Sequence, residues 1–266
     1  MTVATPLSVS VIVPCHDAAQ TIERAIGTVA AQTRLPTEVI AVNDASTDAT
    51  AELLARIARQ AWPFRFEAIT LPENRGAAGA RNAGWARADE AAAYIAFLDA
   101  DDLWLPEKLE RQIAWMEGRQ EIAWTAHRCC VMGGAPSYPL GGSIQSTAPL
   151  TPRGLLARNS VATPTVVVRR GVRGRFRRGW RHCEDLMLWL DWLEEGARGQ
   201  MLDVTLAELG RVPTSPGGST GDLAAMYQGE RRVISTLAAE GRLPEFEAAA
   251  WRGYAWFRYL RRRVRS

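Results

Sequence analysis

Three aspartates follow a short apolar segment in the first half of the chain. Residues 94–98 read Tyr-Ile-Ala-Phe-Leu, and Asp99, Asp101 and Asp102 come directly after them. Carboxylates this close together repel one another unless a cation or a polar ligand lies between them. Mg²⁺ and Mn²⁺ prefer hard oxygen ligands, and Mg²⁺ is commonly held by one or two carboxylates together with substrate phosphates. The cluster therefore predicts a divalent metal site for a phosphate-containing ligand.

An acidic loop that caps the following helix is the alternative explanation. Pro106 is typical of the first turn of a helix, which places the cap near Leu105 and leaves the three aspartates upstream of it. Because capping does not account for these aspartates, metal and phosphate binding is the favoured interpretation.

Two further segments carry side chains suited to binding a nucleotide. Asp44 ends an apolar run at residues 39–42 and could accept a hydrogen bond from a nucleobase N–H. Residues 74–84 combine Arg75 and Arg81 with glycines at a predicted helix start, where an anion can bind. These glycines have a second explanation, because they also allow close packing of the helix.

Hydrophobic periodicity predicts the elements that would bring these side chains together. Apolar runs at residues 9–13, 39–42, 64–71 and 94–98 each precede a segment with helical spacing of apolar residues. Four successive strand–helix units predict a parallel sheet with helices on both faces. Ligands of such sheets bind beyond the carboxyl ends of the strands. The segments at those ends are residues 15–17, 43–44 and 99–102.

The second half of the chain has a different pattern. Residues 133–154 are rich in Gly, Pro, Ser and Thr, which predicts a long surface loop. A strand is predicted over residues 165–168 and an amphipathic helix over residues 186–193. A second break at residues 212–221 precedes two helical stretches, the last of them over residues 251–265.

Composition limits the class of protein. The 266 residues, 47% of them hydrophobic, suffice for one large domain with or without an appendage, and the net charge of +3 is too small to indicate nucleic-acid binding. We find no uninterrupted apolar run of about 18 residues, so we expect no membrane-spanning helix. The apolar segment near residue 1 has no basic leader and is interrupted by Pro14, which argues against a secretory signal, so we expect a cytoplasmic protein. The four cysteines lack CxxC spacing, which argues against a zinc site and a disulfide framework.

Four motifs, in this order, resemble those of the family 2 glycosyltransferases, and they cover about residues 8–116. They are Val11-Ile12-Val13-Pro14, then Val42-Asn43-Asp44-Ala45-Ser46-Thr47-Asp48, then Asn74-Arg75-Gly76 with Ala80-Arg81-Asn82, and then Leu98-Asp99-Ala100-Asp101-Asp102 with Pro106 and Leu109. His182-Cys183-Glu184-Asp185 looks like the Glu-Asp motif found further along in that family.

The resemblance implies an α/β fold of the GT-A type, with a doubly wound, mostly parallel sheet. Residues 1–118 would bind a nucleotide sugar, residues 119–210 would form an α+β acceptor-side half with the catalytic base, and residues 211–266 would be a C-terminal loop and helical appendage. The implied cofactor is Mn²⁺ or Mg²⁺. Asp185 would be the catalytic base and Asp101 the direct metal ligand. The nucleotide-binding residues would be Pro14, His16, Asp44, Arg75, Arg81, Asp99 and Asp102.

Candidates for contact with an acceptor lie close to the proposed base. The segment from position 169 to position 181 contains seven arginines and no acidic residue. These arginines could form a solvated face, or they could bind a phosphate-bearing, lipid-linked acceptor. Arg177 and Arg178 are the candidates from this run. Trp180 could present its ring to a sugar, and Glu184 is the next candidate for the catalytic base. The alternative explanation for Glu184 and Asp185 is that they are acidic residues that stabilise the first turn of a helix.

The predicted function is inverting transfer of one sugar from a nucleotide sugar, expected to be UDP-linked, to an acceptor hydroxyl in surface glycan biosynthesis. A sugar nucleotidyltransferase would carry a glycine-rich, basic loop after the first strand, and a dehydrogenase would carry a GxGxxG motif there. Residues 14–17 form neither of these, which disfavours both classes of enzyme. A non-catalytic nucleotide-sugar-binding protein is the third alternative. The aromatic and arginine-rich residues 251–263 could lie on an anionic membrane as a peripheral contact, or pack on the domain with a solvated arginine face.

Overall fold

A computed structural model describes residues 7–138, 140–210 and 222–264. The strands are β1 (Val9–Cys15), β2 (Glu38–Asn43), β3 (Arg65–Thr70), β4 (Tyr94–Phe97), β5 (Leu103–Trp104), β6 (Trp124–Val131), β7 (Thr147–Pro149), β8 (Val167–Arg169) and β9 (Gly199–Leu209). The α-helices are α1 (Ile22–Ala30), α2 (Thr50–Ile57), α3 (Gly76–Arg87), α4 (Lys108–Glu117), α5 (Pro152–Ala157), α6 (Glu184–Glu194), α7 (Leu223–Ala239) and α8 (Glu245–Arg263).

All of these strands belong to one sheet. Its order is β3-β2-β1-β4-β8-β6-β9-β5, and β7 pairs with β9 outside this path. The first four strands are parallel, as the strand–helix repeats predict. Strand β8 runs antiparallel to β4, and β6 and β9 beyond it are parallel to each other. The carboxyl ends of β1, β2 and β4 therefore meet at one edge of the sheet.

Helices cover both faces of the sheet, which confirms the predicted doubly wound α/β architecture. Helices α1, α2 and α4 bury side chains such as Ile26, Leu54 and Ile113 on one face. Helices α3, α6, α7 and α8 pack on the other face. Trp189 and Trp192 of α6 are fully buried there and belong to the hydrophobic core.

Helix α3 packs unusually close to the sheet because it has a glycine at the contact. A Cβ atom on Gly84 would lie 2.6 Å from Cγ2 of Ile12 in β1 and 3.1 Å from Cγ2 of Val42 in β2. Such distances are too short for carbon atoms, so only glycine fits at this position. The packing explanation for this glycine is therefore confirmed, and the close approach fixes where α3 presents its other side chains.

The second half of the chain contains more strands than its sequence pattern predicts. The predicted strand at residues 165–168 is a 3-10 turn over Thr163–Thr165 followed by β8. Strands β6 and β9 were not predicted, and β7 interrupts the predicted loop at residues 133–154. The boundary predicted at residue 118 falls between α4 and β6, within the shared sheet.

Two further predictions concern the end of the chain. The second break, at residues 212–221, lies outside the described residues. Across the ranges that the structure describes, we find no helix with the length and apolar character needed to span a membrane.

Candidate active site

A cleft of about 320 Å³ opens at the carboxyl ends of β1, β2 and β4. It is lined by Pro14, Cys15, His16, Asp17, Ala18, Thr21, Asp44, Ala77, Ala80, Arg81, Asp99, Ala100 and Asp101. Strand ends and the start of α3 supply these residues, as expected for a ligand site of an open α/β sheet. The structure thus brings together six of the predicted nucleotide- and metal-binding residues.

Strained backbone lies at the turns around this cleft and at the start of α6. In the described ranges, the residues other than glycine with positive φ are Asp17 at 48°, Ala45 at 50° and Cys183 at 57°. Asp17 follows β1, Ala45 follows β2, and Cys183 immediately precedes α6. Left-handed conformations of this kind are uncommon outside glycine and cluster at functional sites.

Asp44 is fixed by the segment that leads into α3. It is buried, and one of its carboxylate oxygens accepts a 2.7 Å hydrogen bond from the backbone N–H of Arg75. His16 packs beside it, with Nδ1 3.0 Å from the Asp44 carbonyl oxygen and 3.2 Å from the side-chain nitrogen of Asn74. The Asp44 carboxylate is therefore held in place at the wall of the cleft.

Arg75 contributes through its backbone in this arrangement. Its guanidinium group lies 3.3 Å from the carboxylate of Glu73, and its side chain is half-exposed. It is not among the residues that line the cleft. The contact between the Arg75 side chain and a nucleotide that the resemblance implies stays a prediction.

Arg81 joins acids from the two halves of the chain. Its buried guanidinium lies 2.7 Å from Asp99 and 3.3 Å from Glu184. Burial alone would lower the pKa of Arg81, but Asp99 and Glu184 outweigh burial and raise it, so the group stays charged. The ion pairs connect the aspartate cluster after β4 to the first turn of α6.

The donor set of the aspartate cluster fits a divalent metal that is completed by a ligand. Asp99 and Asp101 both line the cleft and offer hard carboxylate oxygens. Within the described residues, no three His, Cys, Asp or Glu side chains are placed to hold a metal by themselves. A site with one or two carboxylates is what Mg²⁺ uses when substrate phosphates supply the remaining ligands.

Asp102 has a different environment from its two neighbours. It is buried, and its carboxylate accepts a 2.9 Å hydrogen bond from the backbone N–H of Gly210 at the end of β9. Burial, followed by the charge of Asp99, raises the pKa of Asp102 to about 8. Asp102 is not among the residues that line the cleft, and the nucleotide contact implied for it stays a prediction.

Asp185 lies in the first turn of α6, next to the acid that binds Arg81. One carboxylate oxygen accepts a 2.6 Å hydrogen bond from the Leu186 N–H, and the other accepts a 3.2 Å bond from the Asn159 side chain. Burial is the main reason that its pKa is raised to about 6, and the charge of Glu184 adds to the shift. A carboxylate with this pKa is mostly ionised at pH 7 and is suited to act as a general base.

The arginine run does not form one surface. Arg169 donates to the Met116 carbonyl at 2.7 Å, and Arg175 lies 3.9 Å from the ring centre of Trp85. Arg181 donates to the side-chain oxygen of Asn74 at 3.1 Å. The residues of the run therefore contact separate parts of the domain.

The predicted acceptor residues differ in their accessibility. Arg177 is held by Glu240 and Asp191, and the hydrogen bonds to Glu240 and then Asp191 raise its pKa. Trp180 is only 5% exposed, and the guanidinium of Arg232 lies 4.2 Å from its ring centre. Arg177 and Trp180 are therefore held by contacts within the protein, whereas Arg178 is exposed, and their contact with an acceptor stays a prediction.

Asn159 and Asn74 are two polar residues next to the site that sequence reasoning missed. Both asparagines lie in irregular segments, Asn159 after α5 and Asn74 before α3. Asn159 donates a hydrogen bond to Asp185, and Asn74 donates one to the carbonyl of Asp44. No periodicity marks Asn159, and its contact with Asp185 spans 26 residues of sequence. Asn74 was part of a recognised motif, but no role was predicted for it.

Solved structures define the class of fold. TarS of S. aureus, residues 1–349 in complex with UDP-GlcNAc, superposes with a TM-score of 0.67 at 19% identity, covering 86% of this chain and 66% of that one. The mannosyltransferase PcManGT from Pyrobaculum calidifontis, in complex with GDP-Man and Mn²⁺, gives a TM-score of 0.65 at 18% identity, covering 95% and 74%. The fold is therefore the GT-A fold that the sequence motifs imply.

Sequence comparisons define the family. The family described as "Glycosyl transferase family 2" matches residues 10–140. TuaG of Bacillus subtilis, named for teichuronic acid biosynthesis, is 34% identical over 209 residues, which are 78% of this chain and 80% of TuaG. The UDP-Glc:alpha-D-GlcNAc-diphosphoundecaprenol beta-1,3-glucosyltransferase WfgD of Escherichia coli is 30% identical over 187 residues, 70% of each chain. The chain belongs to glycosyltransferase family 2, and it is a glycosyltransferase.

Proposed function

We propose that this glycosyltransferase is inverting and metal-dependent, and that it transfers one sugar from a UDP-linked donor to an acceptor hydroxyl. The observation that carries the proposal is the double ion pair of Arg81, which ties the cleft carboxylate Asp99 to Glu184, the neighbour of Asp185. Because of this tie, a donor bound in the cleft would have its sugar directed towards the proposed base.

Each group in the cleft has a chemical role in this proposal. Asp44 would accept a hydrogen bond from the nucleobase, with His16 beside it. Asp101 and Asp99 would hold Mn²⁺ or Mg²⁺ together with the donor diphosphate. A bound divalent ion supplies stabilisation of the negative charge that develops on the leaving diphosphate.

Asp185 would take the proton of the acceptor hydroxyl as the new glycosidic bond forms. Its raised pKa of about 6 keeps it mostly ionised at neutral pH and makes it a stronger base than an ordinary aspartate. Glu184 is engaged by Arg81, which supports Asp185 as the base. Attack from the side opposite the leaving diphosphate inverts the configuration of the anomeric carbon.

The names of the relatives support a role in surface glycan assembly. TuaG is named for teichuronic acid biosynthesis, and the name of WfgD specifies a UDP-Glc donor and a diphosphoundecaprenol-linked acceptor. We therefore propose a glycan or lipid-linked acceptor for this chain, with Glu184 and exposed Arg178 as candidates on the acceptor side.

A panel of nucleotides tests the donor assignment. Thermal unfolding of the full chain is measured with UDP, GDP, UDP-sugars and GDP-mannose, each with Mn²⁺ and with EDTA. We expect a rise in Tm with uridine nucleotides and Mn²⁺ and a smaller effect in EDTA. A larger rise with guanosine nucleotides would contradict the UDP assignment.

A further inference from the structure

Helix α8 has one face that packs on the domain. Ala248 and Ala255 are buried against it. Arg258 donates to the carbonyl of Ala157 at 2.5 Å and lies 2.7 Å from the carboxylate of Glu230 on α7. These contacts fix the rotation of the helix about its axis, so the residues on the opposite face point away from the protein.

The outward face of α8 is apolar along its length. Positions four or three residues apart on this face carry Phe246, Ala250, Gly253, Phe257, Leu260 and Val264, with Trp256 beside them. Phe246 is 76% exposed, Trp256 53% and Phe257 56%. We call Phe246, Trp256, Phe257, Leu260 and Val264 the outer stripe. It accounts for five of the nine large hydrophobic residues that are exposed in the described ranges.

Basic side chains lie beside the C-terminal half of the outer stripe. Arg261, Arg262 and Arg263 form the last turn of α8 and are exposed, and Arg262 lies 3.6 Å from the carboxylate of Glu230 on α7. No acidic residue occurs between positions 248 and 264. Exposed aromatic side chains on one face and arginines at its margin are the pattern of a helix that lies in a membrane interface.

We propose that the outer stripe docks this protein on a membrane surface that contains anionic phospholipids. The aromatic and aliphatic side chains would enter the boundary between headgroups and acyl chains, while the arginines contact lipid phosphates. Charge complementarity selects this occupant, because the last turn of α8 carries Arg261, Arg262 and Arg263 and no acidic residue stands between positions 248 and 264. The proposal does not depend on the donor or the acceptor proposed above.

The contacts of α8 also connect the proposed docking face to the candidate active site. The Ala157 carbonyl that binds Arg258 is two residues from Asn159, whose side chain binds Asp185. Helix α7, on which α8 packs, contacts the start of α6, where a Cβ on Gly229 would lie 2.9 Å from Cβ of His182. Docking through α8 would therefore hold the acceptor side of the enzyme in a defined orientation to the membrane.

Vesicle sedimentation of the full chain tests the proposal. Vesicles of phosphatidylcholine alone are compared with vesicles in which about a third of the lipid is phosphatidylglycerol. We expect binding to the anionic vesicles that weakens at high salt. The paired variant Trp256→Glu with Phe257→Glu should bind at least about tenfold more weakly, because two charges replace two inserted aromatic rings. Arg261→Gln with Arg263→Gln should lose most of the preference for anionic lipid.

Leu35→Glu is the matched control, because it places a charge at another exposed leucine, 43% accessible and outside α8. It should bind vesicles as the unmodified protein does, and all variants should keep their Tm. Failure of the unmodified protein to sediment, equal binding by the Trp256 and Phe257 variant, or no preference for anionic lipid would overturn the proposal. A dimer that this variant converts to monomers, without a change in vesicle binding, would instead show that a second copy covers the stripe.

Discussion

Arg81 contacts two carboxylates that lie 85 residues apart in the sequence, Asp99 and Glu184. The family resemblance implied a nucleotide contact for Arg81, which stays a prediction, and the structure places Arg81 at the wall of the cleft. An ion pair between distant residues has no signature in local sequence. A guanidinium with two carboxylate partners also leaves Glu184 less available for proton transfer than Asp185.

Asp185→Asn provides the most selective test of the proposed base. The amide has the same shape and can still accept the hydrogen bond from Leu186, so we expect the variant to fold and to bind donor. Transfer should fall by roughly two to four orders of magnitude, the contribution typical of a general base. Two quantities are measured for the variant and for the unmodified protein: the transfer rate at saturating donor and the Kd of the donor. Transfer near the original rate would assign Asp185 to the helix start and make Glu184 the candidate base.

The pH dependence of transfer should report the pKa of Asp185. Because a base acts in its ionised form, activity should rise with pH through about 6 and level off above it. The hydrogen bond from Asn159 favours the ionised form, so Asn159→Ala should move this rise to higher pH. Full kcat/KM profiles of both proteins are compared. A profile of Asn159→Ala that coincides with that of the unmodified protein would exclude a role for Asn159 in positioning or tuning the base.

At the scale of elements, the closeness of α3 to the sheet depends on Gly84. Gly84→Ala should destabilise the protein by about 1–3 kcal/mol, the range for inserting a methyl group into a packed core, because the new Cβ would lie 2.6 Å from Ile12. Gly27→Ala is the matched control, since it makes the same change within α1 at a position with no atom within 4 Å. It should stabilise by about 0.5–1 kcal/mol through helix propensity. Urea unfolding of both variants checks that the free energy of unfolding falls for Gly84→Ala and rises for Gly27→Ala. An unchanged stability of Gly84→Ala would show that α3 can move away from β1.

The elements of the first half were predictable because each one carries its own periodic pattern. Strands β1, β2 and β4 are short and mostly apolar, β3 mixes polar with apolar residues, and a helix follows each of β1, β2 and β3. Strand β6 was missed because it contains Thr125, His127 and Arg128, which conceal the apolar pattern of a strand. Buried Thr125 is satisfied there by the side chain of Gln112 on α4, a partner that local sequence does not reveal.

Local sequence also failed to predict how the arginines between positions 169 and 181 are arranged. Charge alone predicted a common face, but residues 170–180 contain three glycines and form no regular helix or strand. Successive arginines therefore point in unrelated directions, towards Trp85, Asp191 and Asn74. Periodic patterns predict faces only where the backbone itself is periodic.

At the scale of the whole molecule, the two halves of the chain form one sheet. Strand β4 pairs with β8, and β5 pairs with β9 across about 100 residues of sequence. The hydrogen bond from Gly210 to Asp102 adds a further connection, at the end of β9. The loop that carries the three aspartates is therefore held by contacts from both halves. Pairings of this kind arise from tertiary packing, and the division at residue 118 that the resemblance implied lies within this one sheet.

The central claim is that the cleft binds a nucleoside diphosphate together with a divalent metal, and calorimetric titration of UDP into the full chain tests it most directly. We expect binding with Mn²⁺ that weakens at least about tenfold in EDTA, because the phosphates would otherwise face two carboxylates. Asp101→Asn should remove the metal dependence, while Asp102→Asn, next to it but bonded to Gly210, should retain it. Tight binding of UDP in EDTA, or binding that Asp101→Asn leaves unchanged, would contradict the account.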